Sequence, residues 1–376
     1  MRIPLYKQIQ KYIADNIQQK RWAVNSKIPS ENELAEQFNV SRITIKKALD
    51  DLVEERIIYR IQGKGSFVAS NMEGEPSLYE TPSQTNHHRQ KLIACITPRF
   101  NSELATATFS QIESTLAEQG YRMILCQTHD SQKTEEQILR DVLQMGVEGI
   151  IIYPVEGEAY NEEVLRLTLK DFPLVLIDRY FRGIEANSVC SDNFSGSYEA
   201  IRHLIELGHT RIGVVSTMHK GTTSIEDRIA GYEKALTDAD IPIDHHLYLL
   251  NLQKSEENVE KREENKKEIQ TFLQKNPEMT AIFAVTPGLE VLEAALEFAL
   301  QVPDDLSIIT FDDYSHSHLF SIPPSCVRQQ GQKIGQEAAK LLISAIENPG
   351  QKRKKILIPT KLVVRQSTAA CKVIPK

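Results

Sequence analysis

The chain has 376 residues, of which 41% are hydrophobic and 25% charged, and this length allows two or three ordinary domains. Glutamates interrupt the longest apolar runs before the ~18–20 residues that a membrane span needs, and the first residues lack the apolar segment of a secretory signal. The five cysteines show no CxxC spacing; they are Cys95, Cys126, Cys190, Cys326 and Cys371. We therefore expect a cytoplasmic protein with reduced thiols, no metal and no membrane partner.

The charge is distributed unevenly along the chain. Residues 1–70 hold 12 Lys and Arg against 8 Asp and Glu, whereas the other 306 residues hold 32 against 43, and the whole chain has a net charge of -7. A basic segment before an acidic remainder indicates that only the amino-terminal segment meets a polyanion.

Residues 1–70 have the pattern of a small helical domain that ends in a hairpin. The stretch LYKQIQKYIADNI repeats apolar residues every four positions, which predicts a helix with one buried face. Ser30 and Glu33 fit a capping box at the start of a second helix, and Ser41 is placed to cap a third, RITIKKALDDLVEE. The third helix begins with cationic and hydroxyl side chains, as reading of the major groove requires.

The stretch Gly63-Lys64-Gly65-Ser66 suggests either a phosphate-binding loop or the tip of a β-hairpin. A P-loop needs a glycine at position 58, which is Ile58, and a Ser or Thr after the lysine. A dinucleotide fingerprint needs a third glycine at position 68, which is Val68. The flanks are rich in β-forming residues, so the pattern favours a tight hairpin with Lys64 at its tip.

Together these elements resemble the DNA-binding domain of GntR-family bacterial transcription regulators, over roughly residues 4–70. The resemblance implies a winged helix-turn-helix over residues 1–70 that binds double-stranded, palindromic operator DNA. The implied DNA contacts are Ser30, Asn32, Ser41, Arg42, Thr44 and Lys46 on the helices, and Gln62, Gly63, Lys64 and Gly65 on the wing. The alternative is structural: Ser30 and Ser41 cap helices, and the cations form a solvated face.

Residues 71–90 are polar, contain two prolines and lack apolar periodicity, which predicts a linker. From residue 91 onward, short apolar strands alternate with amphipathic helices in two sets, which predicts two α/β lobes with parallel sheets. We expect lobe one at about 91–190 and 325–345, and lobe two at about 191–320 and 346–376. The charged run at 255–268 predicts a solvated helix face or a loose loop.

Segments such as PLVLIDRYF, VCSDNFSGSYEAIRHLIELGHTRIGVVS and VPDDLSIITFDD resemble the effector domain of LacI/GalR-type regulators, a relative of periplasmic sugar-binding proteins. The resemblance covers nearly all of residues 91–376 and implies a two-lobed, periplasmic-binding-protein-like α/β domain that binds an effector and forms a homodimer. A GntR-like head on such a body is similar to arabinose-responsive repressors of Gram-positive bacteria. It therefore implies a small sugar effector, with arabinose as the leading candidate.

Sugar hydroxyls bind to charged, bidentate side chains, and the sugar ring packs on a flat one. The resemblance implies effector contacts from Asp178, Arg228, Asp312 and Gln329, while Arg99, Phe100, Asp130 and Arg179 are further candidates. Asp178 and Asp312 are alternatively strand-end turns or helix caps, and Arg179 is equally a salt bridge between lobes.

Two positions depart from the family pattern. Thr286-Pro287 stands where relatives often have Asn-Asp, and Leu104-Ala105 stands where they often have an aromatic pair. Thr286 therefore occupies an effector position without the usual amide. The flat surface for the sugar ring would come from elsewhere, such as Phe100 or Phe181.

The sequence shows no catalytic motif, because GxSxG, HExxH and zinc-spaced Cys/His groups are all missing. The histidine pairs His87-His88 and His245-His246 fall in the linker or in a loop, and His316 and His318 are two positions apart. We expect an allosteric repressor, without enzymatic activity or a cofactor, that a sugar releases from its operator. The alternative is a sugar-binding or sugar-converting protein whose amino-terminal domain does not read DNA.

Overall fold

The computed structural model describes residues 5–19, 21–54, 57–61, 64–69, 91–155, 160–217, 221–255, 258–314 and 320–372. The chain divides into two units, Met1–Arg89 and Gln90–Lys376. The predicted linker at 71–90 and the wing residues Gln62 and Gly63 lie outside the described residues. Within the described ranges, no helix has the length and apolar character to cross a bilayer.

The first unit contains three helices and a two-stranded hairpin. The helices are α1 (Leu5–Gln18), α2 (Glu31–Phe38) and α3 (Arg42–Glu54), and the antiparallel strands are β1 (Ile58–Ile61) and β2 (Gly65–Val68). All five elements or their flanks contribute to one apolar core, formed by Ile9, Ile13, Ile28, Leu34, Ile45, Ala48, Leu49, Leu52, Ile58 and Val68.

Local chemistry explains where these elements begin and turn. The backbone N–H of Ser30 donates to the Glu33 carboxylate at 2.7 Å, and the Ser30 hydroxyl accepts from the Glu33 N–H at 3.3 Å, so the capping box is confirmed. Asn39 turns the chain between α2 and α3 with a left-handed φ of 48°. Gly65 follows the wing tip with φ 112°, a backbone conformation that residues with a Cβ rarely adopt. The glycine therefore allows the chain to enter strand β2 of the hairpin.

The second unit has two lobes, each built on a six-stranded sheet. In lobe one the strands are all parallel, in the order β13-β7-β6-β5-β3-β4. These strands are β3 (Lys91–Thr97), β4 (Tyr121–Gln127), β5 (Gly149–Ile152), β6 (Leu174–Ile177), β7 (Asn187–Ser191) and β13 (Lys355–Ile358). Apolar clusters cover both faces, from α4 (Glu103–Glu118) and α11 (Gly331–Glu347) on one side and α5 (Gln132–Gln144) and α6 (Glu162–Leu169) on the other.

Lobe two repeats this arrangement with the order β14-β12-β11-β10-β8-β9, in which only β14 pairs antiparallel. Its strands are β8 (Ile212–Thr217), β9 (Tyr248–Leu252), β10 (Ala281–Ala284), β11 (Ser307–Phe311), β12 (Ser325–Arg328) and β14 (Lys361–Val363). Its helices are α7 (Asn193–Glu206), α8 (Thr223–Asp238), α9 (Val259–Lys275) and α10 (Gly288–Glu297).

The chain passes between the lobes after β7, after β12 and after β13. The predicted lobe boundary near the carboxyl terminus is therefore wrong, because β12 belongs to lobe two and β13 to lobe one. Both are four-residue strands, and apolar composition predicts a strand without predicting its partner. Since parallel strands of each sheet end beside these crossings, their carboxyl ends border a cleft between the lobes.

Candidate DNA-binding surface and effector cleft

The start of α3 presents several predicted DNA-binding side chains to solvent. Ser41, Arg42 and Lys46 are exposed, and Thr44 is half-buried. The Arg42 side chain is 69% exposed, and its guanidinium lies 3.7 Å from Glu31. The Ser41 hydroxyl accepts a hydrogen bond from the Thr44 N–H at 3.3 Å, so Ser41 also has the capping role that the structural alternative assigned to it.

The other predicted DNA contacts lie on α2 and on the wing. Asn32 is exposed in the first turn of α2, whereas the side chain of Ser30 is engaged in the capping box. Lys64 is exposed at the described end of the wing turn, and Gly65 begins β2. On the neighbouring strand, Arg60 lies 3.4 Å from Glu31. Glu31 therefore joins α2 to both α3 and the hairpin through two arginines.

In the second unit, the predicted effector residues lie at strand ends around the cleft. Arg99 and Phe100 follow β3, Asp130 follows β4, and Asp178 follows β6; in lobe two, Thr286 follows β10, Asp312 follows β11 and Gln329 follows β12. Asp130, Asp178 and Asp312 have left-handed φ values of 58°, 67° and 80°. This backbone conformation suits a strand-end turn, and it also recurs at ligand sites, where the surrounding structure stabilises it.

One polar network centres on Arg228 of α8. Its Nε donates to Asn193 at 2.9 Å, one Nη lies 3.8 Å from Asp312, and the guanidinium sits 3.7 Å above the Phe311 ring. The Gln329 amide donates to Asp312 at 2.5 Å. Since Arg228 is only 6% exposed, these partners fix its orientation.

The protonation of Asp312 depends on both lobes. Desolvation by the surrounding walls of the cleft raises the pKa of Asp312 above its ordinary value, although the Arg228 guanidinium opposes this shift. The negative charge of Asp178, in lobe one, adds to the rise. The Asp312 side chain keeps 38% of its surface accessible and can accept hydrogen bonds from a ligand.

A second cluster joins the lobes through Asp178. The Ser224 hydroxyl on α8 donates to Asp178 at 3.3 Å, and Arg179 lies 3.5 Å from the same carboxylate. Arg179 also donates to the Pro154 carbonyl at 2.8 Å, a contact within lobe one. The hydrogen bond between Asp178 and Ser224 therefore crosses the cleft, as do the contacts of the Thr223 hydroxyl with the Tyr180 backbone.

A third cluster joins Arg99, Asp130 and Lys254. Arg99 Nε donates to Asp130 at 2.5 Å, and Lys254, which follows β9 in lobe two, lies 3.6 Å from the other carboxylate oxygen. Burial raises the pKa of Asp130, but the hydrogen bond from Arg99 and the charge of Lys254 outweigh it, so the pKa lies below its ordinary value. The carboxylate is thus charged at neutral pH and links the two lobes.

Asp313, next to Asp312, anchors the loop that carries it. Arg365 makes two hydrogen bonds to the Asp313 carboxylate at 2.8 Å, and Arg328 approaches it at 2.6 Å. Burial raises the pKa of Asp313, but the two arginines outweigh it and hold the pKa well below the usual range. Such bidentate pairs fix geometry as well as charge. They therefore hold the backbone at Asp313 and Arg328, the residues next to Asp312 and Gln329.

The two aromatic side chains suggested as a surface for the sugar ring both pack within lobe one. Phe181 is 6% exposed and packs against Tyr160 with ring centroids 4.3 Å apart. Phe100 is half-buried and packs 5.9 Å from Phe109 on the core of lobe one. Thr286 is half-buried at the end of β10.

Sequence reasoning missed several polar residues of the cleft, among them Asn193, Ser224 and Lys254. Each lies at the start of a helix or just after a strand, where cleft residues of such folds collect. That position alone was a usable signal, since the aspartates were selected on the same ground. Their partners, however, lie 35 or more residues away in sequence and become visible only in the fold.

A separate depression of about 810 Å³ lies on lobe two between β9 and α9. It is lined by Arg211, Asp244, His245, His246 and Lys275 among others, and shares no residue with the three clusters of the cleft. Among the described residues, no group of three or more His, Cys, Asp or Glu side chains is arranged to hold a metal ion.

Two family models match the chain. Residues 5–68 match the bacterial regulatory proteins of the gntR family, and residues 201–368 match a periplasmic binding protein-like domain. The chain joins a GntR-type helix-turn-helix domain to a periplasmic-binding-protein-like domain. The two resemblances drawn from the sequence are thus confirmed, as is the α/β fold class with parallel sheets.

Two curated relatives align with this chain over most of their length. The arabinose metabolism transcriptional repressor of Halalkalibacterium halodurans is 29% identical over 93% of this chain and 92% of the relative. The arabinose metabolism transcriptional repressor of Geobacillus stearothermophilus is 28% identical over 97% of this chain and 98% of the relative. Among solved structures, a LacI family transcriptional regulator from Enterococcus faecium with bound ribose is 25% identical, with a TM-score of 0.63 over 75% of this chain and all of that chain. No enzyme is named among these matches.

Proposed function

We propose that this protein is a transcriptional repressor of carbohydrate-utilisation genes that a small sugar releases from its operator. Two features of one chain carry the proposal. One is a GntR-type recognition helix whose Arg42 and Lys46 are exposed, and the other is a cleft whose strand ends carry Asp178 in lobe one and Asp312 in lobe two. The relatives named as arabinose metabolism repressors support the regulatory role. The ribose-bound relative supports a sugar in the cleft.

On the DNA side, α3 enters the major groove of each half-site. The Arg42 guanidinium suits bidentate contact with guanine O6 and N7, while Lys46 contacts a base or a phosphate. Ser30, Asn32 and Lys64 approach the DNA backbone, as do Ser41 and Thr44 at the edge of the recognition face. The effector domain forms a homodimer, so that two heads meet a palindromic operator.

On the sugar side, Asp178 and Asp312 accept hydrogen bonds from sugar hydroxyls, and Arg228 and Gln329 donate them. Arg99 and Asp130 close one end of the site, with Arg179, Phe100 and Thr286 at its margin. Arabinose is the leading candidate, because the relatives that span most of the chain carry it in their names. A sugar that holds the lobes together shifts the heads away from their half-sites, with a coupling free energy of ~1–3 kcal/mol, or roughly 5–150-fold in affinity.

The test begins by selecting duplex DNA from a randomised pool with the full chain, and then measuring its dissociation constant by fluorescence anisotropy with and without arabinose, ribose, xylose, glucose and galactose. We expect one pentose to weaken DNA binding at least fivefold. Arg42→Ala should abolish specific DNA binding. Lys11→Ala, which removes one positive charge from an exposed position of α1, should not. Failure to enrich any duplex refutes the DNA role, and indifference to every sugar refutes induction.

A further inference from the structure

Ile43, the second residue of α3, is 81% exposed, although the domain around it buries its other α3 isoleucine and leucines. Ile45, Leu49 and Leu52 on the same helix are at most 1% exposed. Full burial of an isoleucine side chain is worth about 1.5–3 kcal/mol, so exposure forgoes a substantial stabilisation. The neighbouring positions Arg42 and Thr44 show that a polar residue is compatible with this turn of the helix.

The helical geometry places Ile43 in the middle of the outward face. At about 100° per residue, Ile43 lies almost directly opposite the buried stripe of α3. Lys46 and Lys47 follow it by three and four positions and are therefore its neighbours on the helix surface. Both lysines are exposed. Further along this face Asp50 is paired with Arg60, so its charge is offset within the domain.

An exposed apolar side chain beside two lysines suits DNA better than a protein partner. Another protein surface with a matching apolar patch would leave the lysines beside a desolvated contact, whereas DNA supplies phosphates for the cations. In the major groove, the C5-methyl of thymine is the apolar group that a side chain can contact, and cytosine lacks it. On the basis of the function proposed above, we propose that Ile43 contacts a thymine methyl group. This contact would set the base preference at one base pair of each half-site.

The test uses deoxyuridine, which pairs as thymine does but lacks the methyl group. Starting from the duplex selected with the full chain, each thymine is replaced singly and the dissociation constant is measured at fixed salt. We expect one position per half-site at which the wild-type protein loses about three- to fivefold, the range expected for one buried methyl group.

Ile43→Ala should bind the thymine and deoxyuridine duplexes equally at that position, and Ile43→Val should keep part of the difference. Lys11→Ala should retain the full difference, because it leaves the recognition face intact. Circular dichroism melts of each variant check the fold, which an exposed position should leave unchanged.

The outcomes separate the two claims. If a duplex is selected but every deoxyuridine effect is the same in wild type and Ile43→Ala, the inference is overturned and the repressor proposal stands. If no duplex is selected, the proposed function fails first. If Ile43→Ala changes the oligomeric state in sedimentation while the methyl effect persists, Ile43 belongs to a protein interface and the inference is again overturned.

Discussion

Replacing Lys254 by methionine should weaken sugar binding by loosening the contact between the lobes. Lys254 lies 3.6 Å from Asp130 on the opposite side of the cleft, while Arg99 holds the same carboxylate at 2.5 Å from within lobe one. The substitution therefore removes a charge that crosses the cleft without leaving Asp130 unpaired. Methionine keeps much of the side-chain volume, so the change is mainly electrostatic.

The size of the effect follows from the exposure of the pair. The side chains of Lys254 and Asp130 are 37% and 24% exposed, so solvent screens much of their attraction. Measured values for exposed pairs are about 0.2–1 kcal/mol, and we take ~0.5–1 kcal/mol for this partly covered one. If the sugar binds the closed lobes, apparent affinity falls in proportion to the closed fraction, which is about two- to fivefold.

Isothermal titration calorimetry with arabinose, or with the sugar that the panel identifies, measures this loss at low salt. Raising the ionic strength should bring the wild-type affinity toward that of Lys254→Met, because salt screens the pair. Lys133→Met, which removes an exposed lysine of lobe one, is the matched control. An unchanged affinity in Lys254→Met, or an equal loss in the control, refutes the reasoning.

Three further predictions concern the ion pairs around the cleft and the helix cap of the amino-terminal domain. Arg228→Met should reduce sugar binding below detection in calorimetry while DNA binding persists, because Asp312 loses the guanidinium partner and the site loses its buried donor. Because the pKa of Asp313 is lowered, its ion pairs stabilise the fold fully above the ordinary aspartate pKa, and this stabilisation is lost as the pH falls through the lowered value. Asp313→Asn should therefore flatten the acid limb of a plot of unfolding free energy against pH. An acid limb identical to that of the wild type contradicts this prediction. Ser30→Ala should lower the urea-unfolding free energy of the head by ~1 kcal/mol, whereas Asn32→Ala, outside the cap, should change it little.

Local signals in the sequence were sufficient for the head. The capping box, the turn at Asn39 and the hairpin depend on residues fewer than a dozen positions apart, and each was confirmed. One detail differed: Leu5 is 55% exposed although it continues the apolar repeat of α1. A spacing of four residues drifts by about 40° per step around a helix, so a stripe of this period leaves the buried face at its end.

In the body, elements were predictable but their long-range partners were not. The charged run at 255–268 becomes most of α9, yet Asn265 within it is fully buried and donates to Glu290 at 2.9 Å. Neither the composition of the run nor its periodicity indicated a buried polar pair. Likewise, strand-end positions indicate both the cleft aspartates and Lys254, whereas the pairing of Lys254 with Asp130 depends on which strand lies opposite β4 across the cleft.

The three crossings between the lobes have a consequence for synthesis of the protein. Strand β13 begins at Lys355, 164 residues after β7 ends at Ser191, and α11, which covers one face of the same sheet, also arrives late. At ribosomal speeds of ~5–20 residues per second, lobe one waits on the order of ten seconds with an open edge and a face that α4 alone covers. A truncation that removes β13 therefore damages the lobe that was synthesised first, and a nascent chain needs protection there until α11 and β13 emerge.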